Sequence, residues 1–315
     1  MILSASRRTD IPAFFSGWFM NRLREGYVLV RNPMNYHQVS KIELSPAVLD
    51  CIVFWTKNPR PLLPYLAEIG ESYPFYFQYT LNAYGKDIEP NLPDIGERIC
   101  TLQTLSAAIG KDRVIWRYDP VLLSPTYDIR WHAETFGRLA KELAPFIESA
   151  VFSCFDPYPK VENYIRSQKA RPCEQTETET LAREFSSVAK ANRLTLKTCA
   201  EAVNLEKYGV AHNCCIDPKL IEKITGWAIH AKKDANQRPE CGCAESIDIG
   251  QYNTCRHGCR YCYANFNPKS VETFLRRHDN NSPLLIGRPE SADKITIRKM
   301  EPLRSERTEE QLQLF

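Results

Sequence analysis

Cys51-Ile52-Val53-Phe54-Trp55-Thr56-Lys57-Asn58 decides the fold. A six-residue run, β-branched or aromatic in all but Cys51, reads as a strand, and the polar pair after it reads as the loop at its end. The same unit recurs in both directions. Ile2–Ser6, Phe75–Thr80, Arg113–Arg117, Ala150–Cys154 and Leu194–Thr198 read as strands, and Ser246–Gly250 supplies one more. Between them, apolar residues at helical spacing predict helices over Pro61–Ile69, Pro93–Ile109, Asp128–Leu143 and Glu177–Ala191, several ending at glycine or asparagine. After the first strand, Asp10 and Pro12 open a helix whose stripe of Phe14, Phe15, Trp18, Phe19 and Leu23 stops at Gly26. Residues Tyr27–Leu44 read as an excursion, a hairpin over Val28–Val30 and His37–Ile42. Regular alternation of strand and helix predicts an α/β fold, a (β/α) barrel or partial barrel spanning residues 1–297, with a cysteine loop after a late strand.

The strand ends are polar throughout. Arg7, Arg8 and Asp10 follow the first strand, Lys57 and Asn58 the second, and Gln78 lies near the end of the third. Arg117 and Asp119 follow the fourth, Asp156 the fifth, Lys197 and Glu201 the last of the series. One charge after a strand is ordinarily a solvated loop, but in a barrel all of these line one mouth, where barrel enzymes hold their sites. Arg7, Arg8, Lys57 and Arg117 are the candidates to hold a carboxylate or phosphate, with Glu201 beside them; structural ion pairs are the alternative.

Lysine plus arginine number 41 against 38 aspartate plus glutamate, a net charge of +3. That excludes a histone-like polycation and leaves room for a local basic cleft. Arg7, Arg8 and Asp10 follow Met1-Ile2-Leu3-Ser4 too closely for the apolar core of a secretory leader, and no run of 18 apolar residues is present. A cytoplasmic location with no membrane partner is therefore expected, and clustered thiols there are expected to bind metal and not to form disulfides.

Eight of the 12 cysteines lie between Cys199 and Cys262. The last three form Cys255-x3-Cys259-x2-Cys262, with Tyr261 before the third. Three thiolates from one loop are one short of saturating a four-iron cubane, which leaves an iron open. Zinc is the alternative, with His257 or Cys241 and Cys243 completing a tetrahedral set. The spacing and the aromatic residue resemble the radical S-adenosylmethionine (SAM) enzymes, and Gly258-Cys259-x-Tyr261-Cys262-Tyr263-Ala264 is most similar to their spore photoproduct lyase branch. The resemblance implies a [4Fe-4S] cluster on Cys255, Cys259 and Cys262, SAM on the open iron with Tyr261 against its adenine, and a flavodoxin- or ferredoxin-type electron donor. It implies DNA as the substrate. Those enzymes carry the loop after their first strand, so its late position here is reconciled by circular permutation, with Ser246–Thr254 as strand one. The Gly-Gly-Glu string that binds the SAM amino group in that superfamily has no counterpart.

The whole chain also resembles an uncharacterised bacterial and archaeal family, domain of unknown function family 1848. Ser6-Arg-Arg-Thr-Asp-Ile-Pro-Ala13, Phe54-Trp-Thr-Lys-Asn-Pro59, Trp116-Arg-Tyr-Asp-Pro120 and Thr198-Cys-Ala-Glu201 carry that resemblance, which brings no substrate with it.

Cys199, Cys214, Cys215, Cys241 and Cys243 offer enough thiolates for a second iron–sulfur cluster or a zinc, with Cys199, Cys215, Cys241 and Cys243 as the ligand set; buried apolar thiols are the alternative. Cys51, Cys100 and Cys173 read as core residues. Cys154, at a strand end, is the candidate to donate a hydrogen atom at the mouth. Residues 298–315 read as a flexible tail ending in Gln311-Leu-Gln-Leu-Phe315. That string is similar to the peptide by which bacterial repair and replication proteins dock on the DNA sliding clamp; a tail folding back on its own barrel is the alternative. The leading reading at this level is a radical SAM enzyme of DNA lesion repair. The second is a non-catalytic iron–sulfur or zinc protein with a nucleic-acid-binding or electron-transfer role.

Overall fold

The computed structural model of the chain describes residues 1–159, 162, 167, 169–265 and 267–305. Among these, thirteen strands and eight α-helices follow in chain order. The sequence runs β1 (Ile2–Ala5), α1 (Ile11–Phe14), α2 (Ser16–Glu25), β2 (Tyr27–Asn32), β3 (Asn35–Glu43) and β4 (Cys51–Thr56). Then come α3 (Leu66–Ser72), β5 (Phe75–Thr80), α4 (Ile95–Ile109), β6 (Val114–Val121), α5 (Ile129–Leu143), β7 (Ser149–Cys154) and α6 (Gln175–Ala191). The chain continues through β8 (Thr195–Thr198), β9 (Ala211–His212), α7 (Pro218–Thr225), β10 (Ala228–Ile229), β11 (Ile247–Asp248), α8 (Pro268–Leu275), β12 (Lys294–Ile297) and β13 (Arg304–Ser305).

Eight of these strands form one sheet in the order β11-β1-β4-β5-β6-β7-β8-β9, every pair parallel. Parallel neighbours need crossovers, and α1–α6 provide them, as the alternation of the sequence requires. The result is an α/β fold consistent with a partial (β/α) barrel. The strands read from sequence at 51–56 and 75–80 have those boundaries, and the hairpin over the excursion is β2–β3. Two helices differ from expectation for local reasons. The stripe from Ile11 to Glu25 breaks at Phe15, whose φ of −135° leaves the helical region. The segment from Arg60 begins as a 3-10 turn because Pro64 has no N–H to donate, and α3 starts only at Leu66. Gly26, in the left-handed region at φ 75°, ends α2.

Side chains alternate across each strand, so the sheet has two faces with different partners. Leu3, Phe54, Phe77, Trp116 and Phe152 point to the helices and form the main core. Ile2, Cys51, Val53, Tyr76, Ile115 and Val151 point the other way, and that face is covered by Cys215, Ile216, Ile221, Cys241, Cys243 and Ala244. The chain from β9 to β11 therefore fills the inner side of the sheet.

A smaller sheet of β12, β3 and β2 flanks α2. Residues 298–305, expected to begin a free tail, are held: β13 pairs with β10, and the Leu303 N–H donates to buried Asp50 at 2.7 Å. The tail proper, including Gln311–Phe315, lies outside the described residues. No helix among the described residues is long and apolar enough to cross a membrane.

The outer core is tightest where α5 and α6 meet β6. Phe136 stacks between Trp116 (4.8 Å between ring centroids) and Phe185 (4.1 Å). Phe136→Ala removes both stacks and leaves a buried void, so it is expected to cost about 3–5 kcal/mol, read as a fall in the denaturant midpoint without a change in slope.

Candidate functional site

The inner face of the sheet changes character toward the C-terminal strand ends. Val53, Tyr76, Ile115 and Val151 are apolar or deeply buried, and the next residues of the same parity are Trp55, Gln78, Arg117 and Ser153. The mouth is thus polar by strand geometry.

Its first wall is a turn shaped by Asp248. That carboxylate accepts from Ser4 Oγ (3.0 Å), Ser6 Oγ (2.7 Å), the Arg7 N–H (2.7 Å) and the Gly250 N–H (2.9 Å). A Cβ on Gly250 would lie 2.0 Å from Ser6 Oγ, so only glycine allows β11 and the β1 turn to approach this closely. Asp10 caps α1 with one oxygen, while the other accepts the Lys57 N–H at 2.7 Å and faces His257 Nε2 at 2.8 Å. Lys57 Nζ donates to Glu89 at 2.9 Å, and the Tyr261 hydroxyl donates to the same buried carboxylate. Against the pull of its burial, Lys57 and Arg98 hold Glu89 ionised.

At the centre is a string of thiols. Cys199 Sγ lies 3.2 Å from Cys215 Sγ. Arg117 Nη1 donates to Cys215 Sγ at 2.7 Å, and Asn213 Nδ2 does so at 3.2 Å. Cys215 also contacts Cys243, which contacts Cys241 and accepts the Ile216 N–H at 3.4 Å. The hydrogen bond from Cys215 is the main reason that the Cys199 thiol is held down, to about 6, with Arg117 adding to it. Donating that bond, and burial, push Cys215 well up. Hydrogen bonds from Cys215 and Cys241, and the charge of Arg7, hold Cys243 low. Cys215 has one proton to give, so Cys199 and Cys243 compete for it. Cys199 is partly exposed and Cys215 buried.

This geometry corrects the metal readings. Among the described residues, one set of three or more histidine, cysteine, aspartate or glutamate side chains brings its ligand atoms within 4.8 Å of one another: His37, Glu290 and Asp293, with no cysteine in it. Cys255, Cys259 and Cys262 do not bring all three sulfurs within 4.8 Å of one another. Cys259 and Cys262 pack with Tyr84, Ile88, Leu122 and Phe155, while Asp10 is the charged group that bears most on Cys255. Burial pushes all three thiols up, Cys259 to about 12. The radical SAM cluster, SAM cleavage on it and lesion repair by that chemistry are therefore not supported, and the permutation proposed to accommodate them has nothing left to explain. Nor do Cys199, Cys215, Cys241 and Cys243 form a second cluster: they contact one another in sequence as a string, with no three of them mutually close. The His37 set is itself engaged, because Arg31 grips Asp293 through Nη1 (2.5 Å) and Nη2 (2.8 Å).

The cysteine loop serves instead as a latch on the mouth. The Arg260 N–H donates to Ile88 O (3.0 Å), Asn91 Nδ2 to Arg256 O (2.9 Å), and the Tyr263 hydroxyl to Arg7 O (2.7 Å). Tyr261 is buried with its hydroxyl on Glu89 and is not offered as a stacking face. Arg8 lies over Tyr252 and 3.9 Å from Asp248. Cys154 faces away from the mouth: Ser153 takes the inner parity and contacts Asp119, which leaves the Cys154 thiol on Thr178 (3.4 Å) and Cys173. Glu201 accepts the Cys154 N–H at 2.7 Å, and burial pushes it up to about 7. Of the strand-end candidates, Arg7, Arg117 and Glu201 share the mouth with the thiols. Trp55, Asn213 and Asp248 were missed in the sequence reading, although the parity of Trp55 after Val53 was available there.

A family profile, that of a domain of unknown function (DUF1848), matches residues 2–264. Nothing among the curated proteins or the solved structures matches the chain.

The depressed thiol gives a measurable signature. Below about pH 6 Cys199 is a thiol and unreactive, and above it a thiolate, so its alkylation rate should rise with a midpoint near 6 and not near the ordinary value of about 8.5. Cys215→Ala removes the donor and should move that midpoint upward, as read by mass spectrometry of the Cys199 peptide.

Proposed function

The chain belongs to the DUF1848 family, and for it we propose a thiol–disulfide redox function at the barrel mouth, with Cys199 as the attacking thiol and Cys215 as the resolving one. The observation that carries this reading is the 3.2 Å contact between Cys199 Sγ and Cys215 Sγ, with Arg117 Nη1 2.7 Å from the latter. A reactive cysteine is partly exposed, thiolate-prone and beside a cation, and its resolving partner is adjacent and protected. Cys199 and Cys215 divide those properties between them.

The exchange balances without a metal. The Cys199 thiolate attacks one sulfur of a substrate disulfide, forming a mixed disulfide and releasing the other sulfur as a thiolate that takes up a proton. Cys215 loses its proton and attacks Cys199 Sγ, closing the internal disulfide and releasing the second substrate thiol. Two electrons pass from the protein dithiol to the substrate disulfide, and a dithiol donor restores the resting state. The two sulfurs have to close by roughly 1 Å to reach the bonded separation of about 2.05 Å. The proton that Cys215 gives up passes to the departing substrate thiolate. This reading retains the electron-transfer half of the second sequence reading and replaces its metal by a dithiol.

Reduced full-length protein treated with a low-molecular-weight disulfide should lose two hydrogens and yield a linked peptide pair containing Cys199 and Cys215. Cys199→Ser should abolish the linkage, and Cys215→Ser should trap a mixed disulfide on Cys199. Oxidation that bypasses this pair, or metal bound stoichiometrically to these thiols in the purified protein, would overturn the reading.

A further inference from the structure

We propose that Arg7 and Trp55 form an oxyanion-binding subsite in the mouth, receiving the carboxylate or phosphate of a small ligand beside the thiol string. Among the described residues, two buried donors there have no hydrogen-bond partner: Arg7 Nη2 and Trp55 Nε1. They belong to neighbouring groups, since the Arg7 guanidinium carbon lies 5.1 Å from the centre of the Trp55 ring. The Arg117 guanidinium carbon lies 5.3 Å from the centre of the same ring, so the indole meets two guanidinium groups.

Buried donors are almost always satisfied, and an orphaned one carries the full desolvation penalty of its group. The nearest carboxylate does not meet the need. Asp234 Oδ2 is 3.9 Å from Arg7 Nη1, beyond hydrogen-bond distance, and its oxygens accept from the Asn236 N–H (2.9 Å) and Gln237 Nε2 (3.2 Å). Arg117, by contrast, has Asp119 and Cys215. The charge of Arg7 bears on Cys243, but its Nη2 donor is left with capacity for a ligand. Its aim is fixed by the backbone: the Arg7 N–H is held by Asp248 at 2.7 Å, and its carbonyl accepts from Tyr263 at 2.7 Å. A ligand oxygen accepting from Arg7 Nη2 and another accepting from Trp55 Nε1 would satisfy both donors, and the planar guanidinium matches a carboxylate or phosphate. The subsite takes its chemical meaning from the dithiol reading, where it implies an anionic thiol or disulfide substrate, but anion binding is measured without thiol exchange.

Isothermal titration calorimetry of the reduced full-length protein, with sodium phosphate and separately with sodium succinate at constant ionic strength, tests it. Saturable one-site binding of at least one anion is expected, and the two arms tell phosphate from carboxylate. Arg7→Gln and Trp55→Phe, each checked for an unchanged melting transition, should weaken binding by about tenfold or more, as loss of a hydrogen bond to a charged group requires. Trp55→Phe keeps an aromatic face while removing the N–H, and serves if Arg7→Gln does not fold. Arg130→Gln, on the exposed face of α5, should change nothing. No binding of either anion tighter than about 1 mM, or binding that survives both substitutions, would overturn the subsite. If that happens while Cys199 and Cys215 still exchange, the dithiol reading stands alone; anion binding without exchange leaves the subsite and removes the dithiol reading.

Discussion

A guanidinium enclosed in the interior of a sheet is tolerated only if its charge is matched, and Arg117 imposes that condition on this fold. It is 4% exposed, at an inner-face position of β6. The cost of burying it is offset by the Asp119 carboxylate, the sulfur of Cys215 and the face of the Trp55 ring. Each partner is fixed in turn. Ser153 donates to Asp119, Asn213 donates to Cys215, and the Cys215 carbonyl accepts from Tyr76 and Gln78 at 2.7 and 2.8 Å. The segment that carries the thiols is thus tied to the strands by the same polar groups that make the mouth reactive. The same buried charge also favours the ionised form of the neighbouring Cys199 sulfur, so packing and chemistry follow from one residue.

The loop from Cys255 to Cys262 shows how a motif can be present in sequence and be used differently in space. Spacing of three and two residues permits convergence of three sulfurs, but side-chain direction decides whether it happens. Here Tyr261 is drawn down onto Glu89, Cys259 follows it into the apolar cluster around Tyr84, and His257 turns to Asp10. The loop closes over the Lys57–Glu89 pair and fastens the turn that bears Arg7. Its aromatic and histidine side chains hold the mouth in place, while the sulfurs that contact one another lie deeper, in the string Cys199, Cys215, Cys243, Cys241 drawn from separate segments of the chain.

Much of the architecture was legible because it rests on local patterns. β4 and β5 stand where runs of β-branched and aromatic residues placed them, α5 begins at the cap that Asp128 provides to the Trp131 N–H, and Gly26 ends α2 because it adopts φ 75°. The strand-end rule also pointed to Arg7, Arg117 and Glu201. It could not separate them from Lys57, which is spent on Glu89, or from Arg8, which is turned to Tyr252. That sorting depends on which carboxylate or ring each cation meets, and the partners come from loops distant in sequence. Cys154 was misplaced for a simpler reason: one step of strand parity puts Ser153 at the mouth and the thiol behind it.

The amino-acid sequence by itself determined the alternation of strands and helices, the parallel sheet that follows from it, and the polarity of one end of that sheet, because periodicity and capping are properties of neighbouring residues. Only the tertiary structure decided which cysteines meet. Contact between Cys199 and Cys215 requires the chain after β8 to fold back under the sheet, where Ile216 and Ile221 join its inner face and Gln78 and Tyr76 hold the Cys215 carbonyl. Sulfur-to-sulfur distance is set by that packing and not by spacing along the chain, since long-range burial, not local geometry, fixes where the covering segment lies.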